Sequence, residues 1–245
     1  MRKILFLTYD GILEPLGYSQ ILSYLINLSR NYEINILSIE KENDLKNKKY
    51  YKEIVNILNK NNINWSYLRY SKNFKLLLIL KITFSIFKIF LLKKIHLVHV
   101  RSYIPAIICY NFLKLFNFKL IFDMRGFWID ERVDWNIWNK KSIKYVFFKY
   151  LEKKIIFKSH AIVTLTNDAS YYIKKNFKIH HQTKIYVIPT STQCNYNYEK
   201  KNIKNILNLT YLGAIGTRYD FNKVIKFFNL ISKKINTKLL IFNKD

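Results

Sequence analysis

Apolar and polar positions fall along this chain as short hydrophobic runs separated by longer mixed segments. The runs KILFLT (3–8), INILSI (34–39), NWSYL (64–68), HLVHV (96–100), KLIFD (119–123), AIVTL (161–165) and KIYVIP (184–189) are rich in Ile, Val, Leu and Phe and alternate little. That is the pattern of strands covered on both faces. Most intervals between them can hold a helix, so the pattern predicts an α/β fold: a Rossmann-like parallel sheet with helices on both faces. The start, MRKILFLTYDG, reads as the first strand. A secretory signal would need a longer apolar core and a small-residue cleavage site.

Glycines and prolines are few, so their positions carry information. Gly11, Gly17, Gly126, Gly213 and Gly216 each lie just beyond a predicted strand, and Pro105 suits the first turn of a helix. Pro189 closes the seventh strand. The expected division is therefore residues 1–189 as one Rossmann-like domain, the polar stretch 190–205 as a linker, and 206–245 as the start of a second domain. That last part reads as strand NLTYLG, a helix from about Tyr219 to Lys234, and strand KLLIF. One βαβ unit cannot bury both faces of its sheet, so the second unit reads as incomplete.

The segment FKLLLILKITFSIFKIFLLKK (74–94) is apolar nearly all round, which signals deep burial or a membrane. Its apolar residues favour insertion by roughly −4 to −8 kcal/mol, and Lys81 and Lys88 return roughly +5 to +7 kcal/mol. A span here would also separate the early strands from the later ones across the bilayer. We read a crossover helix whose Lys81, Ser85 and Lys88 share a face that touches lipid headgroups. The plainer alternative is a helix packed on the sheet with its lysines in solvent.

Charge sharpens this picture. The chain carries 42 Lys and Arg against 16 Asp and Glu, a formal net charge of +26. Biased base composition in the gene is one account of that excess. The excess is uneven, however: between Glu53 and Asp123 there is no acid and there are eleven Lys or Arg. Such a block suits an anionic membrane surface or nucleic acid. The two cysteines, Cys109 and Cys194, are too few and too far apart for a disulfide framework or a CxxC metal site, so a reducing compartment is expected.

Three strand-to-loop transitions are candidates for chemistry. In TYDGILEPLGYSQ (8–20) a loop with Gly11 and Gly17 opens a helix whose free N–H groups would favour an anion. The spacing is neither GxGxxG nor a P-loop, and a plain tight turn explains it equally. In FDMRGFWIDERVDWNIW (122–138) four of the chain's acids and three of its four tryptophans gather behind one apolar run. Asp123 stands at the C-terminal end of a predicted strand, the edge where open α/β sheets bind ligands. Arg125 could grip a phosphate or carboxylate with two hydrogen bonds, and Gly126 permits close backbone approach. Trp128 and Trp135 offer flat faces to sugar rings, and Asp130, Glu131 and Asp134 could accept from hydroxyls. The alternative is a helix whose acids pair with lysines and whose tryptophans are core. In LTYLGAIGTRYDF (209–221), Gly213, Gly216, Thr217 and Arg218 could cradle a diphosphate, or form an ordinary turn.

These stretches, together with AIVTLTNDASYYI and KIYVIPTST, resemble glycosyltransferase family 4, whose members have the two-Rossmann-domain GT-B fold. The segment FDMRGFW–DERVD is the most specific. The resemblance implies an acceptor-side N-terminal domain and a truncated donor-side domain. It implies a retaining sugar transfer from a nucleotide-sugar co-substrate to a glycan or lipid-linked acceptor, in cell-surface polysaccharide or glycolipid synthesis. It implies no cofactor and no metal. Asp123 and Arg125 would be catalytic, Asp123 standing roughly where many relatives carry His. Gly11, Gly17, Tyr18, Gly126, Trp128, Glu131 and Arg132 would line the acceptor side, and Gly213, Gly216, Thr217 and Arg218 the donor diphosphate. The pair of donor-domain glutamates of the family is missing: no acid lies between Asp220 and Asp245. Whether a chain so truncated is active or inactive alone stays open on this resemblance. The expected setting is the cytoplasm, peripheral to the anionic inner face of the plasma membrane.

The competing class is a non-catalytic basic module for membrane or nucleic acid. No nucleic-acid recognition motif is present, and nucleic acid is not an expected partner. A sugar-nucleotide epimerase of similar build is disfavoured by the FDMRGFW segment.

Overall fold

The computed structural model describes residues 1–191, 206–213, 215–216 and 220–243. Residue contacts divide the chain into two compact units, Met1–Glu131 with Asn139–Gln193, and Arg132–Trp138 with Cys194–Asp245.

The first unit is built on seven parallel strands: β1 (Arg2–Thr8), β2 (Tyr32–Glu40), β3 (Asn64–Arg69), β4 (Leu97–Arg101), β5 (Lys119–Asp123), β6 (Ala161–Thr164) and β7 (Lys184–Val187). Their order across the sheet is β3-β2-β1-β4-β5-β6-β7. The apolar runs dictate this. Leu5, Phe6 and Leu7 of β1 are sealed from solvent, as are Ile34 and Ile36 of β2 and Val98 and Val100 of β4. Strands of this kind, apolar on both faces, must lie in the middle of a sheet covered by helices. Ile4 stands opposite Ile34 on one side and Leu97 on the other. The runs of β3 and β7, with more polar and exposed positions, form the two edges.

After β1 the chain enters a helix in three parts: α1 (Pro15–Gly17), a π-helical turn (Tyr18–Leu22) and α2 (Ser23–Leu28). It starts at Pro15, whose fixed φ and missing N–H suit a first position, so that Gly17 lies within the helix. The π turn is marked by the Ser23 N–H bonding the carbonyl of Tyr18, five residues back. Then follow α3 (Glu42–Lys46), α4 (Lys48–Lys60), α5 (Lys75–Leu92), α6 (Tyr103–Phe112), α7 (Trp128–Asp134), α8 (Ile143–Lys158) and α9 (Asn167–Asn176). Side chains of Asn47, Ser142 and Thr166 cap α4, α8 and α9 by accepting from Tyr50, Tyr145 and Ala169 N–H groups.

Helix α5 answers the burial-or-membrane alternative with neither extreme. Leu78, Ile82, Ile86 and Phe90, four residues apart, are buried against the body. Phe90 stacks on Phe116 and Phe118 at 4.7 and 4.9 Å between ring centres. The opposite side is exposed. No helix among the described residues is long and apolar enough to cross a membrane.

In the second unit β8 (Leu207–Leu212) and β9 (Thr237–Phe242) pair in parallel, with Leu207 opposite Thr237, and α10 (Phe221–Ser232) connects them. The helix is shorter than predicted at each end. Asp220 caps it by accepting from the Lys223 N–H, and none of its residues is fully buried.

Candidate functional site

In a parallel sheet of this order the connections run outward in both directions from β1 and β4, which leaves a crevice beyond their C-terminal ends. The residues that close these strands and their neighbours face it. Arg101 ends β4 and Asp123 ends β5, and the two are partners in register. Both are buried. Their charges answer each other across an opposed geometry: Asp123 Oδ2 lies 3.6 Å from His99 Nε2 and 3.9 Å from Arg101 Nη1, and Asp123 Oδ1 lies 3.8 Å from Arg125 Nη1.

Arg101 is delivered by a costly backbone turn. Ser102, which follows it, has φ 77° and ψ 172°, a region glycine occupies freely and other residues at a cost of about 1–3 kcal/mol. The turn lets the Ser102 N–H donate to the Asp123 carbonyl at 3.0 Å, tying β4's end to β5's. From the other side the π turn of the first helix contributes Gln20, whose carbonyl oxygen accepts from Arg101 Nη2 at 2.7 Å and from Arg125 Nη2 at 3.2 Å. Arg125 also donates to Thr190 Oγ1 at 2.9 Å.

These groups surround a cavity of about 250 Å³ that Tyr24, His99, Val163 and Pro189 also line. Four buried polar atoms on its wall make no hydrogen bond in the structure: Tyr24 Oη, His99 Nε2, Arg101 Nε and Asp123 Oδ1. Buried polar groups are nearly always satisfied, so the wall is prepared for a polar occupant that supplies both donors and acceptors. Burial, and then the Asp123 charge, push the Tyr24 phenol above its ordinary range, so it stays a neutral donor. Burial, and then the charge of Arg101, pull Arg125 below its ordinary range, against the opposite pull of Asp123. Among the described residues no three His, Cys, Asp or Glu side chains gather as metal ligands.

The loop after β1 is fixed by Glu40, at the end of β2. This fully buried carboxylate accepts from the N–H groups of Ile12 and Leu13 at 2.8 and 3.2 Å and from the Ser38 hydroxyl at 2.5 Å. Gly11 lies against it: a Cβ there would come within 2.5 Å of Glu40 Oε2. Gly17 is helical, and a Cβ on it would collide with the backbone carbonyls of Ile12 and Gly11.

Of the residues expected from sequence, Asp123 and Arg125 line the cavity. Gly11 and Gly17 shape the loop beside it, and Tyr18 is exposed. Gly126 packs close to the Glu131 carboxylate. Trp128 lies half-buried against Tyr103 and Phe148, with ring centres 5.8 Å away in each case. Arg132 covers the Trp135 ring, its guanidinium carbon 5.5 Å from the ring centre. Asp130 takes the Tyr145 hydroxyl at 2.7 Å and Lys149 at 2.9 Å, which is the ion-paired alternative for that acid. In the second unit the Gly213 N–H donates to the Phe242 carbonyl at 3.1 Å, and Gly216 lies beyond it. Thr217, Arg218 and the linker from residue 192 to 205 lie outside the described residues.

Sequence reasoning missed Gln20, Tyr24, His99, Arg101 and Thr190. Arg101 was within reach, because a cation closing the strand run HLVHV carries the same signal that singled out Asp123. Gln20 and Tyr24 needed the π turn, which has no comparable signature.

No protein-family model matches the chain, and no curated protein matches it. Solved structures do. Sucrose-phosphate synthase from Thermosynechococcus elongatus aligns with a TM-score of 0.59 at 11% identity, over 99% of this chain and 71% of that one. A glycosyltransferase from Rickettsia africae aligns with a TM-score of 0.57 at 17% identity, over 100% and 69%. Arabidopsis thaliana UGT89C1 complexed with UDP gives 0.56 at 10% identity, over 100% and 68%. The seven-stranded parallel sheet flanked by helices is thus the fold of GT-B glycosyltransferases. At such identities the likeness is one of fold.

Proposed function

We propose that this chain is a glycosyltransferase in which the first unit binds the acceptor, moving a sugar from a nucleotide-sugar to a hydroxyl of a glycan or lipid-linked acceptor. The observation that carries the reading is the set of buried atoms on the wall of the cavity at the strand ends that make no hydrogen bond. Asp123 Oδ1 accepts no hydrogen bond, and Tyr24 Oη and Arg101 Nε donate none, the carboxylate of Asp10 lying 3.5 Å from Nε. A sugar hydroxyl is both donor and acceptor, and vicinal hydroxyls supply several of each.

In this reading an acceptor hydroxyl donates to Asp123, which fixes the direction of the oxygen lone pair that attacks. The new bond forms from that oxygen to the anomeric carbon, and the bond from the anomeric carbon to the nucleotide's phosphate oxygen breaks. The electron pair leaves on the phosphate oxygen, and the hydroxyl proton passes from the acceptor oxygen to that departing phosphate, so the transfer ends in a glycoside and a protonated nucleotide phosphate. Arg101 and Arg125 set the field in which that negative charge develops. Gly213, Gly216, Thr217 and Arg218 are the candidates for the donor diphosphate. Retention at the anomeric carbon follows from the family resemblance.

Calorimetry with UDP- and GDP-sugars, and NMR observation of added hexoses, test the proposal. The expected result is weak saturable binding of one nucleotide-sugar and of a hexose, the hexose bound more weakly by Asp123→Asn. Absence of binding by every nucleotide-sugar and every hexose overturns it.

A further inference from the structure

Helix α5 carries two apolar faces, and among the described residues only one is covered. Leu78, Ile82, Ile86 and Phe90 are buried, as described. Leu76, Leu80, Phe84 and Leu91 form a second row at spacings of four, four and seven, on another side of the same helix. They are exposed by 72%, 57%, 67% and 63%. Single exposed leucines are ordinary; a continuous row of large side chains on one helix face marks an interaction surface. Lys81 and Lys88 share a helical face beside this row, and both are exposed, as are Lys72 before the helix and Lys94 after it.

We propose that α5 is an interfacial helix that docks the first unit on an anionic lipid bilayer. The row would enter the boundary between headgroups and acyl chains, and the flanking lysines would meet lipid phosphates. The charge pattern selects this occupant over a second copy. From Ile54 to Phe122 the chain has no acid and eleven Lys or Arg. Pairing α5 with itself would therefore bring lysines to lysines with no carboxylate from this region to offset them, whereas anionic headgroups neutralise them. The helix is held against the body along its buried row, so it lies in the membrane plane and does not span it. The bare rows also account for its all-round apolar composition, which burial explains on one side only. This docking stands independently of the sugar-transfer proposal.

The test is sedimentation of the full chain with vesicles of phosphatidylcholine alone and of phosphatidylcholine with one third phosphatidylglycerol. Binding to the anionic vesicles is expected at least tenfold above the neutral ones, weakened by salt. The double variant Leu80→Gln with Phe84→Gln is expected to lower it a further tenfold while leaving the circular dichroism melt unchanged, since neither residue is buried. Lys81→Gln with Lys88→Gln should remove the preference for anionic vesicles. Equal binding by the leucine–phenylalanine variant overturns the proposal, as does absence of binding. A concentration-dependent dimer in analytical ultracentrifugation that the same variant dissolves assigns the face to a second copy, and likewise overturns it. Loss of nucleotide-sugar binding with vesicle binding intact would sink the enzymatic reading alone.

Discussion

The buried carboxylate of Glu40 accepts a 2.8 Å hydrogen bond from the backbone N–H of Ile12, so the end of β2 holds the loop that follows β1. Glutamine in its place keeps one carbonyl acceptor and turns an amide NH2 donor toward one of the loop's N–H groups. Glu40→Gln should therefore cost roughly 1–3 kcal/mol, the usual result of leaving a buried donor unsatisfied. Urea unfolding at neutral pH checks it.

Glu40 also gives a sign for pH. Burial, only partly offset by the Ser38, Ile12 and Leu13 hydrogen bonds, raises its pKa above the ordinary carboxylate value. The folded chain then holds this proton more tightly than the unfolded one, so its contribution to stability falls as pH rises from the unfolded value through the raised folded one. Glu152, also raised by burial, adds a slope of the same sign. Stability measured against pH in this acid range should lose part of that slope in Glu40→Gln.

Gly17 and Gly126 separate two kinds of glycine. A Cβ at Gly17 meets backbone carbonyls, which cannot move aside, whereas one at Gly126 meets the end of the Glu131 side chain. Gly17→Ala should destabilise by about 1–3 kcal/mol and shift the loop beside the cavity. Gly126→Ala should stay within about 0.5 kcal/mol. Thermal melts of the two variants decide.

Tyr103, Lys149 and Glu152 form a buried polar cluster. The Tyr103 hydroxyl donates to Glu152 Oε1 at 2.6 Å, and Lys149 pairs with Glu152 and with Asp130. Lys149→Met leaves the Glu152 charge buried without its cation and should cost roughly 3–5 kcal/mol. Lys149→Met combined with Glu152→Gln should recover most of it, a coupling that a double-mutant cycle in urea measures.

Asp123→Asn removes the anion that three cationic or protonatable neighbours share. If the proposed contact to an acceptor hydroxyl is a hydrogen bond to charge, hexose binding should weaken by roughly 10- to 100-fold, from about 1.5–3 kcal/mol lost. NMR titration of hexoses reads the change.

The sheet was legible because β1, β2 and β4 are sealed on both sides, and so appear as unbroken apolar runs. The place of Asp123 beside the strand-end cavity was legible because a charged residue closing such a run lies at the C-terminal edge of the sheet, and Arg125 follows two residues later. Other parts were not. For 122–138 the sequence left a ligand-facing surface and an ion-paired helix both open, and what decides for Asp130 comes from elsewhere in the chain: Tyr145 and Lys149 lie 15 and 19 residues beyond it, a pairing whose partners composition does not name. The two faces of α5 have the same hydropathy, and only packing separates the covered row from the bare one. Gln20 bridges two arginines through a π turn, a departure of one residue from the regular helix that leaves no mark in residue type.

The unfavourable turn at Ser102 has a consequence for motion. A residue kept in a glycine region by its surroundings is clamped, here between two strand ends joined by the Ser102 N–H to Asp123 carbonyl bond. The floor beneath Arg101 and Asp123 therefore behaves as an anvil and not as a hinge. Adjustment to an arriving molecule is left to the side chains above that base, where Gln20 and Arg125 would exchange the hydrogen bonds they make to each other and to Thr190.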